Sequence, residues 1–206
     1  MDRLSVSKIR VAGMEVRVIE RCTSTNTLLR EERVGERGAD AVLLAAELQT
    51  AGRGRHGRRW RSVRGAGATF SIRRRMNCEQ RKLAGLSVAV GISSARALRR
   101  LGARGVTLKW PNDLLVNRRK LGGILIETRP SPGGSLVIVG IGINCRAQRR
   151  LGARLGRGVA ALDEVLRRPV SRNAVIGAVA REVLAALSAW ERAWEPALER
   201  ARKRAA

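Results

Sequence analysis

The junction at residues 41–60 restricts this chain more than any other feature. The apolar run Ala41–Leu48 is short and bounded by turn residues, so it reads as a buried strand. It leads straight into a glycine-arginine loop, Ala51–Arg59, and then Trp60. Three glycines (Gly52, Gly54, Gly57) allow backbone shapes closed to other residues and let a loop close over a ligand. Arg53, Arg55, Arg58 and Arg59 add a strong local positive field, with planar forks suited to carboxylate and phosphate oxygens. Such a loop is costly to order without an anion. An RGG-like nucleic-acid-binding segment is the other meaning of the same residues.

The surrounding pattern is mixed. Val16, Val18 and Ile19 suggest a strand, and Ser24 and Thr25 could cap a short helix through Glu32. Thr69–Ile72 reads as a strand and Leu83–Leu101 as a long helix closed by Gly102. Val106–Leu108 is a short strand. Leu114–Val116, a turn at Asn117–Lys120, and Leu121–Glu127 form a hairpin. A turn at Pro130–Gly134 precedes the strand Leu136–Ile141. From Val159 the pattern is helical, broken at Pro169, recapped at Ser171, and striped by Val175, Val179, Val183, Leu184 and Leu187. The expectation is a single α+β domain over residues 1–206, a mixed β-sheet packed against helices. Its motif-bearing core spans about 14–145 and a helical part about 159–206.

Composition narrows the function. The net charge of +25 suggests an anionic partner, whether nucleic acid, nucleotide or acidic protein, although arginine can also serve as a plain surface solubiliser. Aromatic content of 2% with no tyrosine argues against base-stacking platforms. No apolar run reaches the roughly 18 residues of a membrane span, and the first residues lack the apolar core of a secretory signal. A soluble cytoplasmic protein is expected. Cys22, Cys78 and Cys145 stand apart, and His56 is alone among cations, so neither a structural zinc site nor a catalytic triad is expected.

A second segment carries the chemistry further. Lys109-Trp110-Pro111-Asn112-Asp113 follows a short strand, and Lys120 heads Lys120-Leu121-Gly122-Gly123-Ile124-Leu125. At the start of an apolar strand the Lys120 ammonium could be held near a reacting anion. By spacing alone, a solvated turn cation beside Arg118 and Arg119 is the commoner meaning. Trp110 reads as a core anchor, and nothing near Cys145 marks it as a nucleophile.

Taken in order, four blocks resemble the signatures of the biotin protein ligase family. They are Ser24-Thr25-Asn26; Gln49 with Gly-Arg-Gly-Arg-x-Gly-Arg-x-Trp; Lys-Trp-Pro-Asn-Asp with Lys-Leu-Gly-Gly-Ile-Leu; and Gly140-Ile141-Gly142-Ile143-Asn144. They run from Ser24 to Asn144, over half the chain. The resemblance implies a mixed sheet backed by helices and a two-step reaction. Biotin and ATP give biotinyl-5′-AMP and pyrophosphate, and a lysine of a biotin carboxyl carrier protein then takes the biotin. It further implies that Ser24, Thr25, Asn26 and Gln49 line a biotin pocket, and that Arg53, Gly54 and Arg55 cover biotin and its adenylate. Lys120 would contact the reacting carboxylate and α-phosphate, acting in catalysis with Arg53 and Arg55. Arg58, Trp60, Asn112, Asp113 and Asn144 would meet the nucleotide, with Mg²⁺ arriving on ATP near Asp113 and no tightly bound metal.

Two departures from the family pattern are read from the sequence. About 13 residues precede the first strand, too few for a helix-turn-helix, so no DNA-binding domain and no DNA repression are expected. No segment after Pro196 suits the small β-barrel that usually follows in the family, so that domain is expected to be absent. Membrane partners are not expected, and a homodimer stays open. The competing readings are an enzyme of the same fold acting on lipoate or octanoate, which the glycine-arginine loop disfavours, and a basic nucleic-acid-binding protein with a vestigial ligase site.

Overall fold

A computed structural model describes residues 2–32, 39–147 and 158–205. Seven strands form one mixed sheet: β1 (Glu15–Cys22), β2 (Ala41–Gln49), β3 (Gly67–Met76), β4 (Val106–Lys109), β5 (Asp113–Val116), β6 (Arg119–Ser131) and β7 (Gly134–Asn144). Their order is β1-β2-β3-β7-β6-β5-β4. Only β1 and β2 run parallel; the other neighbours are antiparallel.

Side-chain alternation sorts the strands into two faces. Leu43 and Ala45 of β2, Phe70 and Ile72 of β3, and Val137, Val139 and Ile141 of β7 point to the main core. Helices α2 (Leu86–Arg100) and α4 (Arg172–Ala205) cover that face through Leu86, Val90, Leu98, Val175, Val179 and Val183. The interleaved residues Val42, Leu44, Leu136 and Ile138 meet Leu29 of α1 (Thr25–Glu31) on the opposite face. The expected α+β fold, a mixed sheet packed against helices, is the fold observed. Within α4, residues Arg172–Ala193 are long and apolar enough to cross a membrane by length and composition. That apolar stripe is instead buried against the sheet and α2, each large side chain contributing roughly 1.5–3 kcal/mol.

Several boundaries differ from the sequence reading for local reasons. The long helix begins at Leu86, because Gly85 takes a left-handed φ of 87° and Gln80–Leu83 forms a separate 3₁₀ turn. The hairpin turn is only Asn117-Arg118, both with positive φ (48° and 60°), so Arg119 and Lys120 belong to β6. Strand β6 continues through Pro130 to Ser131, and Ser131 pairs with Gly134 around Pro132-Gly133. Val159 is not helical. It bridges in parallel to Lys120, and the short helix α3 (Leu162–Leu166) starts three residues later.

The start of α4 is tied to the far end of the chain. Ser171 Oγ accepts from the Ala174 N–H at 3.3 Å, the expected cap. Next to it, Arg172 is 1% exposed and forms two hydrogen bonds to Glu47 (2.7 and 3.2 Å) on β2. Its own N–H, at 2.8 Å, and the Asn173 amide, also at 2.8 Å, donate to the Asp2 carboxylate.

Candidate active site

On the α1 side, beside that apolar cluster, the sheet surface formed by part of β3, β7 and β6 is polar and lines a cavity. In β3, Thr69 and Ser71 alternate with the core residues Ala68, Phe70 and Ile72. In β7 the matching positions are Gly140 and Gly142. A Cβ on Gly140 would overlap the Asn26 amide, and one on Gly142 would overlap the Trp60 indole. These two glycines therefore let Asn26 and Trp60 lie directly on the strand.

The start of α1 supplies a polar cluster. Gln49 Oε1 accepts from the Thr25 N–H (2.7 Å) and from Thr25 Oγ1 (2.9 Å). Thr25 Oγ1 also meets Ser71 Oγ at 2.6 Å, and Ser71 donates to Asn26 Oδ1. Asn26 Nδ2 donates to Glu127 Oε2 (2.9 Å) and to the Leu125 carbonyl (3.3 Å). Ser24 precedes the helix without a side-chain cap, contrary to the capping role read from the sequence: the first free N–H goes to Gln49 instead. Among the described residues, neither its hydroxyl nor the NH₂ of Gln49 has a hydrogen-bond partner. Both are donors in a largely buried setting, where an incoming carbonyl would satisfy them.

The glycine-arginine loop is a small hairpin over this cluster. Arg53 bridges Arg59, the Gly54 N–H donates to the Arg58 carbonyl (2.7 Å), and the Trp60 N–H donates to Gly52 (2.9 Å). His56 and Gly57 make the tip with positive φ of 53° and 71°. Arg53 pairs with Glu127 at 2.9 Å, and Arg55 donates to Asn112 Oδ1 at 3.2 Å. Among the described residues, Arg55, Arg58 and Arg59 have no carboxylate at ion-pair distance, so their charge is left for a ligand.

Lys120 reaches the site through a β-bulge. Asp113 pairs with Gly123 and Leu114 with Gly122, but Leu115 pairs with Lys120, leaving Leu121 unmatched. Cross-strand partners share a face, so Lys120 joins Asp113 and Gly123 on the cavity side while Leu121 drops into the core. A regular strand would have exchanged the two. Lys120 Nζ lies 2.6 Å from Asp113 Oδ1. Asn144 Nδ2 donates to the carbonyls of Lys120 (3.4 Å) and Ala160 (3.1 Å), holding the strand from its other side.

Two adjoining cavities result. The larger, about 310 Å³, is lined by Ser24, Thr25, Asn26, Gln49, Arg53, Gly54, Arg55, Arg58, Asn112, Asp113 and Lys120. The smaller, about 250 Å³, is lined by Asn144 together with Arg119, Val159 and Glu164. Trp60 and Thr69 line both, so the indole is the partition. Every residue singled out from sequence for ligand contact thus falls on one or other cavity.

One expectation needs amendment, and two site residues lie outside those singled out from sequence. Trp110 is 76% exposed beside the cis Trp110–Pro111 bond at the mouth of the larger cavity; it is not a core anchor. Ser71 is not among the residues singled out from sequence, although the alternation in Thr69–Ile72 puts it on the polar face. Glu127 was missed because a glutamate after an apolar strand carries no signal of its partners. Cys145 is fully buried and its thiol is pushed up to about 12 by burial, in keeping with an inert residue.

Among the described residues no group of three His, Cys, Asp or Glu could hold a metal. Asp113 is the carboxylate lining the larger cavity, a donor set that fits a Mg²⁺ ion carried in by phosphates better than a resident one.

Residues 18–144 match the family described as "Biotin/lipoate A/B protein ligase family". The chain is 39% identical over 181 residues to the bifunctional ligase/repressor BirA of Escherichia coli, covering 87% of this chain and 55% of that protein. It is 33% identical over 182 residues to the biotin--[acetyl-CoA-carboxylase] ligase of Mycobacterium tuberculosis, covering 84% and 64%. It therefore spans between half and two thirds of these two relatives. The fold matches the Aquifex aeolicus biotin protein ligase in complex with biotin and ATP (TM-score 0.71, 29% identity, 86% of this chain and 72% of that one). It also matches the Leishmania major enzyme in complex with biotinyl-5-AMP (TM-score 0.72, 25% identity, 86% and 76%).

Proposed function

The chain belongs to the biotin/lipoate A/B protein ligase family, and we propose that it is an ATP-dependent biotin protein ligase. It would form biotinyl-5′-AMP with release of pyrophosphate, then pass biotin to a lysine of a biotin carboxyl carrier protein. The observation that carries this reading is the placement of Lys120, turned by the bulge into a cavity with uncommitted donors at one end and unpaired arginines at its rim. A nucleic-acid-binding protein with a vestigial site is not favoured, since the residues that the family resemblance singles out line two adjoining cavities.

Ser24 and the NH₂ of Gln49 would donate to the ureido carbonyl of biotin, with Thr25 positioned by Gln49 and Ser71. Asn26 has its carbonyl and its NH₂ committed to protein partners, so it would shape the pocket more than grip the ligand. Bringing the biotin carboxylate to a triphosphate sets two anions against each other. Lys120, Arg53, Arg55 and Arg58 would offset that repulsion and stabilise the charge that grows at the α-phosphorus. Asp113 orients the Lys120 ammonium, and with Asn112 it would meet the nucleotide or a Mg²⁺ carried on it. When bound, that ion would neutralise phosphate charge. The smaller cavity would take the adenosine, between Trp60 and the Asn144 end of β7. Gly54, on the cavity lining, would let the loop lie close over the adenylate.

Biotin-dependent exchange of labelled pyrophosphate into ATP is the direct test. Exchange that requires biotin, and not lipoate or octanoate, supports the reading; no exchange from folded protein removes it.

Two further outcomes are expected. Gly142→Ala drives a methyl into Trp60 and moves the partition between the cavities. The KM for ATP in the exchange assay should rise on the order of tenfold, equivalent to about 1.4 kcal/mol. An unchanged KM would mean that Trp60 does not bound the nucleotide site. The net charge of +25 also suits an acidic carrier domain. Raising salt from about 0.1 M to about 1 M shortens the Debye length from about 10 to about 3 Å. Transfer to the carrier should then slow on the order of tenfold, whereas exchange changes far less. Equal salt sensitivity of both steps would exclude electrostatic attraction of the carrier.

A further inference from the structure

We infer that Glu127 is a positioning residue for this site, a clasp that holds the arginine loop and the first turn of α1 in one geometry although it does not itself reach the ligand. The inference rests on the ligase reading for the identity of the ligand, but not for the clasp. Glu127 lies on β6 two residues beyond Leu125, on the same face as Gly123 and Leu125, which line the larger cavity. Glu127 stays outside that cavity, and its side chain is 16% exposed.

Its two oxygens serve three side chains on two elements, the loop and α1. Oε1 is 2.9 Å from Arg53 in the loop and 3.2 Å from Arg30 in α1. Oε2 accepts from Asn26 Nδ2 at 2.9 Å and from Arg53 at 3.4 Å. The bond to Asn26 fixes which way that amide faces, and so which atom meets Ser71 and, through it, Thr25 and Gln49. The pair with Arg53 is the loop's one ion pair among the described residues. A single carboxylate thus sets both the polar cluster below the ligand and the cover above it. A glutamine there keeps the shape and one acceptor oxygen but removes the charge that gathers two guanidiniums.

The loop carries its own reporter. Trypsin cuts after Arg53, Arg55, Arg58 or Arg59 only when the hairpin opens, so the initial cleavage rate there measures closure without any ligand. Glu127→Gln is expected to speed first cleavage within 53–59 about tenfold, with cleavage in α2 unchanged. It should raise the KM for biotin in the exchange assay about tenfold while kcat stays within about threefold. Arg53→Gln should give the same gain in cleavage after Arg55, Arg58 and Arg59, and the double variant should be cleaved there no faster than either single, because both break one pair. A Glu127→Gln protein with wild-type loop cleavage overturns the clasp, as does strict additivity with Arg53→Gln. A general rise in cleavage with a lowered Tm and an unchanged KM would make Glu127 merely structural and likewise overturn it. If the wild type shows no biotin-dependent exchange, the ligase reading falls, and the cleavage rates alone decide the clasp.

Discussion

Replacing Lys120 with alanine should slow biotin-dependent pyrophosphate exchange by about 10²–10³-fold while leaving the protein folded. Lys120 contributes no core surface: Leu121 occupies that role, and the lysine side chain keeps 19% of its surface in contact with solvent. Its loss leaves Asp113, itself 22% exposed, without a partner, a modest cost for a group that water still reaches. The effect on chemistry is of another order. Removing one positioned charge or donor from a site that stabilises developing negative charge typically costs about 10²–10³ in rate, or about 3–4 kcal/mol. Since biotin's carboxylate and the α-phosphate must be brought together, the loss should appear in kcat and not in the KM for biotin alone. Lys120→Arg should not restore the rate. The guanidinium is a broad planar fork with its charge spread over three nitrogens, and it does not place a compact charge where the ammonium sits, 2.6 Å from Asp113. An active Lys120→Ala protein would move the chemistry elsewhere in the cavity, with Arg55 and Arg58 as the next cations to test.

How far the sequence reached differs between fold and site, for physical reasons. Strands and helices are legible because burial on both faces makes β2 a short continuous apolar run and imposes period 3.6 on α2 and α4, and each of these three elements lies close to its expected place. Their ends were less legible. Gly85 could as well have continued a helix as interrupted one, and only its left-handed φ separates the 3₁₀ turn from α2. The site residues stand out as ordered blocks, which periodicity alone does not single out. What periodicity concealed was the bulge: strict alternation from Asp113 and Gly123 puts Leu121 in the cavity and Lys120 in the core, the reverse of the actual arrangement. The contacts of Glu127 were equally hidden, because Asn26, Arg30 and Arg53 lie 74 to 101 residues away along the chain. Trp110 illustrates the opposite error. A large aromatic in an apolar setting is usually packed, yet here the turn around Pro111 sets it 76% exposed at the mouth of the cavity.

The largest expected effect on stability lies away from the site. Glu47→Ala should lower stability by about 3–5 kcal/mol, the usual cost of breaking a buried ion pair by removing one partner. Glu47 is 5% and Arg172 1% exposed, so the variant leaves a guanidinium charge in the interior with only the Asp2 carbonyl to accept from it. The Leu4 N–H, which donates to Glu47 at 2.6 Å, is orphaned as well. For a chain of this size each kcal/mol moves Tm by roughly 2–4 °C, so Tm should fall by about 6–20 °C. The pH dependence gives a second check. Burial alone would raise the Glu47 carboxyl, but the hydrogen bonds from Arg172 and Leu4 and the Arg172 charge outweigh it and hold it below its ordinary value near 4.5. A carboxyl depressed on folding adds stability above its unfolded value and loses it as pH falls through the folded one. The gap in Tm between wild type and Glu47→Ala should therefore be full at pH 7 and shrink below about pH 4.5. Pairing Glu47→Ala with Arg172→Met, which removes the stranded charge but keeps its volume, should recover much of the loss. A single Glu47→Ala variant as stable as wild type at pH 7 would show that Asp2 and Asn173 alone hold the start of α4 against β2.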